Sequence, residues 1–162
     1  MAGLPFPAGS FDLVFCWGVL MHIPEAEAAM LELVRLSRAG GLIVIAEGNA
    51  YSVDAITTLL RSKLLPPPGR DLSRGRYGRE YWTRTPAGDL FIRHAFPSAL
   101  RGFFEAQRCR LRYRMAGQFT ETFTRAPAPV AAFLHAWNAL WFRVGAPPWL
   151  ACANIFVFER EE

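Results

Sequence analysis

Lysine is almost absent from this chain. Of its 18 basic residues only Lys63 is not an arginine, and 14 acidic residues leave a formal charge of +4. So small an excess does not mark a nucleic-acid face, which needs clustered positive charge. Cysteine is scarce too. Cys16, Cys109 and Cys152 are far apart, odd in number and without C-x-x-C spacing. That argues against a zinc site or a disulfide framework and suits reduced thiols in the cytoplasm. No run approaches the roughly 20 uninterrupted apolar residues of a membrane helix. The greasiest region, Ala126 to Phe158, is broken by His135, Asn138, Arg143 and Pro147-Pro148. A basic start followed by an apolar core is missing, so no signal peptide is expected. There is no internal repeat, no Ser-His-Asp, zinc or P-loop pattern, and no G-x-G-x-G. Gly40-Gly41 follows a helical pattern, and Gly75 to Gly78 does not follow a strand pattern, so neither substitutes for it.

What is present is one domain's worth of core. The chain has 162 residues, 52% of them hydrophobic and 14% aromatic. It is organised around Leu4 to Glu47. Phe11 to Trp17 is nearly continuously apolar, the pattern of a central parallel strand buried on both faces. Pro24, Glu25 and Glu27 suit the first turn of a helix. Ala29, Met30, Leu33, Val34 and Leu36 then recur on one helical face. Arg35 and Arg38 fall in its last turn, and Gly40-Gly41 can provide a left-handed cap. Leu42 to Ala46 is a second buried strand. Strand, helix and strand make a βαβ unit, and the fold class is α/β.

Downstream, Ser52 or Asp54 can cap a helix running to about Leu65, which Pro66-Pro67-Pro68-Gly69 stops. Arg70 to Gly88 reads as irregular, and residues 66–89 as an insertion or lid, since long loops in compact domains are often functional. Leu90 to His94 is a short strand. Pro97 opens a helix over Ser98 to Gln107. Arg108 to Met115 alternates strictly, with Arg108, Arg110, Arg112 and Arg114 on one face of a half-buried strand. Ala128 to Val144 has helical spacing, and Ala151 to Phe158 is the last strand.

Leu4-Pro5-Phe6-x-x-Gly9-Ser10-Phe11-Asp12-Leu13-Val14, with Trp17-Gly18-Val19-Leu20-x-His22-Ile23-Pro24, resembles the fourth-strand motif of class I S-adenosylmethionine-dependent methyltransferases. The likeness is to the small-molecule, UbiE/type 11-like branch. Gly40-Gly41 resembles that family's "PGG" turn, with Ala39 where proline is usual, and Leu42 to Glu47 its fifth strand. The resemblance implies a Rossmann-like sheet, mostly parallel, with the last strand antiparallel between the fifth and sixth. It also implies that the N-terminal βαβ half is missing. The family's glycine-rich loop, ribose-binding acid and adenine-side Asp or Asn have no match here. The chain therefore reads as the C-terminal half of a methyltransferase, and a truncated gene, a misplaced start codon and a split subunit all remain open.

The resemblance implies S-adenosyl-L-methionine as cofactor, with contacts at Leu4, Cys16, Trp17 and Gly18. The plainer reading makes Cys16 and Trp17 ordinary buried residues at a strand end. His22 is the candidate base, or else a local loop fastener. Many methyltransferases of this kind need little more than a well-placed nucleophile. Glu47 and Tyr51, after the second strand, and Tyr81 and Trp82, in the lid, are candidate substrate contacts; capping or anchoring explains them as well. The arginine row suits a charged sheet edge that discourages aggregation. Phe133, Trp137 and Trp141 suit core or lid packing. His94 and His135 have no partner at metal spacing.

Two functions follow. One is methyl transfer to a small-molecule acceptor, with cofactor binding incomplete in this chain alone. The other is a non-catalytic, methyltransferase-like partner subunit or degenerate domain, joined through the bare edge of the Phe11–Trp17 strand to a second copy or to an N-terminal partner. RNA binding is a third, lesser reading. A helix there, or an outer position for that strand with one wet face, would overturn the family assignment.

Overall fold

The computed structural model describes residues 3–64, 72–120, 126–145 and 147–162. Strand β1 (Phe11–Trp17) leads through a 3-10 turn (Leu20–His22) into helix α1 (Ala26–Leu36) and strand β2 (Ser37–Gly48). Helix α2 (Val53–Leu64), strands β3 (Ser73–Arg74), β4 (Gly78–Thr85) and β5 (Gly88–Ala95), and helix α3 (Pro97–Ala106) follow. Strand β6 (Cys109–Ala116), helix α4 (Ala128–Arg143) and strand β7 (Ala153–Arg160) complete the order.

Four strands form one sheet in the order β1-β2-β7-β6. β1 and β2 are parallel, and β7 runs antiparallel to both β2 and β6. The expected βαβ unit and the inserted antiparallel final strand are therefore both observed. On one face α1 and α3 pack down. Met30, Leu33, Leu100, Phe103 and Phe104 share a buried cluster with Val14, Cys16, Ile43, Ile45, Phe156 and Phe158. Phe104 stacks on Phe158 at 4.6 Å between ring centres. Each such large side chain contributes about 1.5–3 kcal/mol on burial.

The other face corrects the sequence reading. β1 is the outer strand of the sheet, and its alternate residues Leu13, Phe15 and Trp17 are 55%, 59% and 55% exposed. The strand was expected to be central and covered on both sides. The reason is geometric: among the described residues no strand pairs with the far edge of β1, and no helix lies over that face of it. Leu42, Tyr113 and Met115 continue the apolar surface across the sheet.

Three further expectations change. Gly40-Gly41 does not cap α1. The helix closes at Ser37, and residues 38–41 make a bulge in which Phe11 pairs with Ser37 but Leu13 with Leu42. Gly41 is required there, because a Cβ would lie 2.7 Å from Ser37 Oγ and 2.8 Å from Arg38 O. The stretch read as irregular is ordered from residue 72 onward: β3, β4 and β5 form a second, antiparallel three-stranded sheet. The proline stop at Pro66 to Gly69 lies outside the described residues. The strict alternation of β6 fails at a bulge between Leu111 and Tyr113. Arg110 and Arg112 pair with Glu159, and Arg114 Nε donates to Asn154 Oδ1 at 2.7 Å. The row is an edge strand tied to its neighbour, as the aggregation argument expected, and it does not form a free basic face.

Candidate functional site

A cavity of about 460 Å³ opens where the carboxyl ends of β1 and β2 meet the start of β7. Its walls include Trp17, Gly18, Met21, Ala46, Glu47 and Gly48 from the β1–α1 and β2 ends. Ser52 and Asp54 enter from α2, His94 from β5, Gln118 from the segment after β6, and Asn138 and Phe142 from α4. In open α/β sheets ligands sit beyond the carboxyl ends of the strands, which is where this cavity lies.

Local hydrogen bonds fix each wall. Ser52 Oγ accepts from Ala55 N at 3.1 Å, so Ser52 caps α2 as its position suggested. Thr120 Oγ1 donates to Asp54 Oδ1 at 2.8 Å, tying α2 to the segment after β6. Asn138 accepts from Phe119 N and donates to Thr120 O, which holds α4 against the same segment. The loop after β1 is fastened by Arg93, whose side chain is only 5% exposed. Its guanidinium donates to Leu20 O, Ile23 O and Pro24 O and pairs with Glu80 at 2.7 Å. A planar, permanently charged fork suits that multiple duty.

Glu47 is 3% exposed and its Oε1 accepts from Leu20 N at 3.0 Å. Burial pushes its carboxyl up to about 8, against the opposing pull of the Leu20 N–H and Arg93. It is therefore largely neutral at pH 7. Burial, and then Glu47, raise the Cys16 thiol to about 11. His94 moves the other way: burial and then Arg79 hold its imidazole below the ordinary value. The polar groups on this side of the cavity are thus mostly uncharged.

The sequence candidates divide cleanly. Trp17, Gly18 and Glu47 line the cavity. Cys16 does not; its side chain lies on the covered face, in the core cluster, because it alternates with Trp17 along β1. Leu4 is at the far end of β1, where its N–H donates to Glu32 Oε1 at 2.8 Å. His22 is a loop fastener: its Nδ1 lies 2.9 Å from Phe91 O. Tyr51 is half exposed and stacks on Phe96, and Trp82 packs edge-on against Phe91, both off the cavity. Tyr81 is buried behind the wall, its hydroxyl 3.4 Å from His94 Nε2. His94 and Arg93 went unrecognised as site residues. The one available signal was a histidine adjoining an arginine in a short strand, which by itself points nowhere. The α4 aromatics pack only in part: Trp137 and Trp141 contact Phe119, while Phe133 is exposed.

No helix among the described residues is long and apolar enough to cross a membrane. Nor do they hold a cluster of three His, Cys, Asp or Glu that would bind a metal.

A family profile described as "Methyltransferase domain" matches residues 1–45. An uncharacterized methyltransferase of Schizosaccharomyces pombe is 39% identical over 49 residues, which is 30% of this chain and 18% of that protein. A solved S-adenosylmethionine-dependent methyltransferase from Methanosarcina mazei aligns with 98% of this chain and 63% of its own, at 14% identity and a TM-score of 0.58. The 1,6-didemethyltoxoflavin-N1-methyltransferase of Burkholderia thailandensis was solved with 1,6-didemethyltoxoflavin and S-adenosylhomocysteine bound. It aligns with 97% of this chain and 47% of its own, at 14% identity and a TM-score of 0.50. This chain thus spans roughly half to two thirds of those solved structures and under a fifth of the curated relative. The outer place of β1 was to overturn the family assignment; the profile match over residues 1–45 and the shared fold support that assignment nonetheless. The chain is thus similar to a methyltransferase domain in sequence over residues 1–45, and it shares the fold of solved S-adenosylmethionine-dependent methyltransferases along nearly its whole length.

Proposed function

We propose that this chain takes part in S-adenosylmethionine-dependent methyl transfer to a small-molecule acceptor. The observation that carries the reading is the cavity beyond β1 and β2, rimmed by Trp17-Gly18 of the matched motif. Residues on that rim fit one side of the cofactor. Gly18 has φ +62°, and an added Cβ would meet nothing within 4 Å, so bare backbone is open to close approach. Trp17 and Met21 offer apolar and polarisable surface beside it. No glycine-rich loop following a strand occurs among the described residues, so the grip they offer is partial.

Bound cofactor would supply the methyl group as an electrophilic sulfonium. The chain's own work is positioning. Arg93 and the neutral Glu47 hold the loop after β1, and the apolar walls exclude water from the acceptor. We place this chemistry in the cytoplasm, where the buried Cys16 and Cys109 thiols stay reduced. Equilibrium dialysis against S-adenosylhomocysteine tests the reading. We expect saturable binding, weaker than micromolar, that Gly18→Leu abolishes. No saturable binding up to millimolar ligand, or full retention in the variant, overturns it.

The exposed row of Leu13, Phe15 and Trp17 favours a second reading, in which the chain is a partner subunit completed along the β1 edge. An unpaired strand with an apolar face invites another chain. Light scattering should show concentration-dependent association that Phe15→Lys weakens. A monomer at all concentrations removes this reading.

A further inference from the structure

Helix α4 is apolar on almost every side, yet none of its residues is buried. Val130, Phe133, Trp137, Leu140 and Val144 follow one another at steps of three, four, three and four residues. That is the a/d repeat of a helix that pairs with another helix. It sets the five in one stripe along α4, about 21 Å long at the helical rise. Val144, the cap residue, still donates to Leu140 O at 3.0 Å, so the stripe runs unbroken to the end of the helix. All five are exposed, between 39% for Trp137, whose ring also touches Phe119, and 66% for Phe133. A different side of the helix, carrying Asn138 and Trp141, is the one that holds the segment after β6.

We propose that this stripe is an interaction surface whose partner is α4 of a second copy, packed antiparallel about a two-fold axis. The contact is separate from the β1 edge and does not rest on the function proposed above.

The chemistry of the helix selects that occupant over others. Its 16 residues are too few to span a membrane. A helix lying in a membrane surface needs a strongly basic polar face, and α4 carries a single arginine, Arg143. No acidic residue occurs between Ala126 and Phe158, and Leu134, Ala136 and Trp141, which flank the stripe, are uncharged. A charged partner would find nothing there to pair with except Arg143, whereas an equally uncharged helix gives nothing up. The small Ala136 beside the stripe lets two helix axes come close. Antiparallel packing keeps the two Arg143 side chains at opposite ends and opposes the helix dipoles; parallel packing would bring both together.

Area sets the strength. The five side chains are large and about half exposed, which leaves on the order of 500 Å² per copy. Two copies would bury on the order of 1,000 Å², below the roughly 1,600 Å² of a standard interface and in the range of weak ones. The dimer should therefore form only at high micromolar concentration.

Sedimentation velocity of the purified chain, from micromolar to millimolar, should show monomer passing to dimer. Leu140→Glu should weaken association at least about tenfold by putting a carboxylate into an apolar contact. Phe133→Lys should do the same. Mixed in equal amounts, the two variants should associate again, because antiparallel helices set position 133 of one copy beside position 140 of the other. Hydrogen exchange on the wild-type chain decides the matter even where a variant fails to fold: amides 130–144 should gain protection as concentration rises. A monomer throughout, association that Leu140→Glu leaves unchanged, a mixture no better than its components, or no added protection at 130–144 overturns the proposal. So does a monomer that binds vesicles of phosphatidylcholine and phosphatidylglycerol and loses them on Leu140→Glu, since a lipid surface would then stand where the second copy is placed.

Discussion

Replacing Glu47 by glutamine should make the protein more stable, and only at the upper end of the pH range. Glu47 is 3% exposed, and burial raises its carboxyl from 4.5 to about 8. Below pH 4.5 the group is protonated in both folded and unfolded chains, and burying it carries no ionisation penalty. Between 4.5 and about 8 the unfolded chain has released the proton while the folded chain still holds it. The folded state then binds more protons, so stability falls by about 1.4 kcal/mol for each pH unit. The loss levels off above pH 8, at a ceiling on the order of 3–5 kcal/mol, a large share of a domain's total stability. An amide at position 47 cannot ionise, and its oxygen still accepts from Leu20 N. Urea unfolding followed by tryptophan fluorescence should give matching stabilities near pH 4.5 and a gap in favour of Glu47→Gln that widens toward pH 8. Taking the difference between the two proteins cancels His94, whose lowered value acts in the opposite direction. Parallel curves for wild type and variant across that range would refute the reasoning.

Arg93→Met should cost about 3–5 kcal/mol in urea unfolding, since it strands Glu80 and three loop carbonyls that now share one guanidinium. Gly41→Ala should cost about 1–3 kcal/mol in a thermal melt, because its Cβ overlaps Ser37 Oγ and a backbone carbonyl. Cys16 should resist iodoacetamide in the folded protein near pH 8 and react once urea is added, as read by mass spectrometry of the digested protein. Its burial and its value of about 11 both withhold the thiolate.

The βαβ unit and the last three elements were legible because each rests on a local pattern: an apolar run, a 3.6-residue face, or an alternation. β7 between β2 and β6 came from family likeness, since pairing order leaves no trace in periodicity. The errors share a cause. The apolar residues of Phe11 to Trp17 report what the strand is suited to touch, and not whether anything within the chain covers it, so its wet face was unreadable. The stretch after Leu72 looked irregular because its strands are rich in arginine and glycine; they are held by pairing with each other and by burial of Tyr77, Tyr81 and Phe91. Trp17, Gly18 and Glu47 fall on the cavity wall, where strand ends located from the preceding runs put them. Cys16 was placed near the cofactor by resemblance, and its side chain lies in the buried cluster on the covered face. His94 escaped because its place beside Gly48, 46 residues earlier in the sequence, is set by the packing of the two sheets, and no spacing rule links a bare backbone to a ring on another sheet.

Arg93 and His94 are consecutive, so on an extended strand they point to opposite sides. One grips the segment that rims the opening; the other looks into its interior. The second sheet therefore couples entrance to floor as a rigid cam would. A displacement of β5 cannot loosen the rim without also moving the ring that lines the interior, and a substitution that retunes one will be felt at the other.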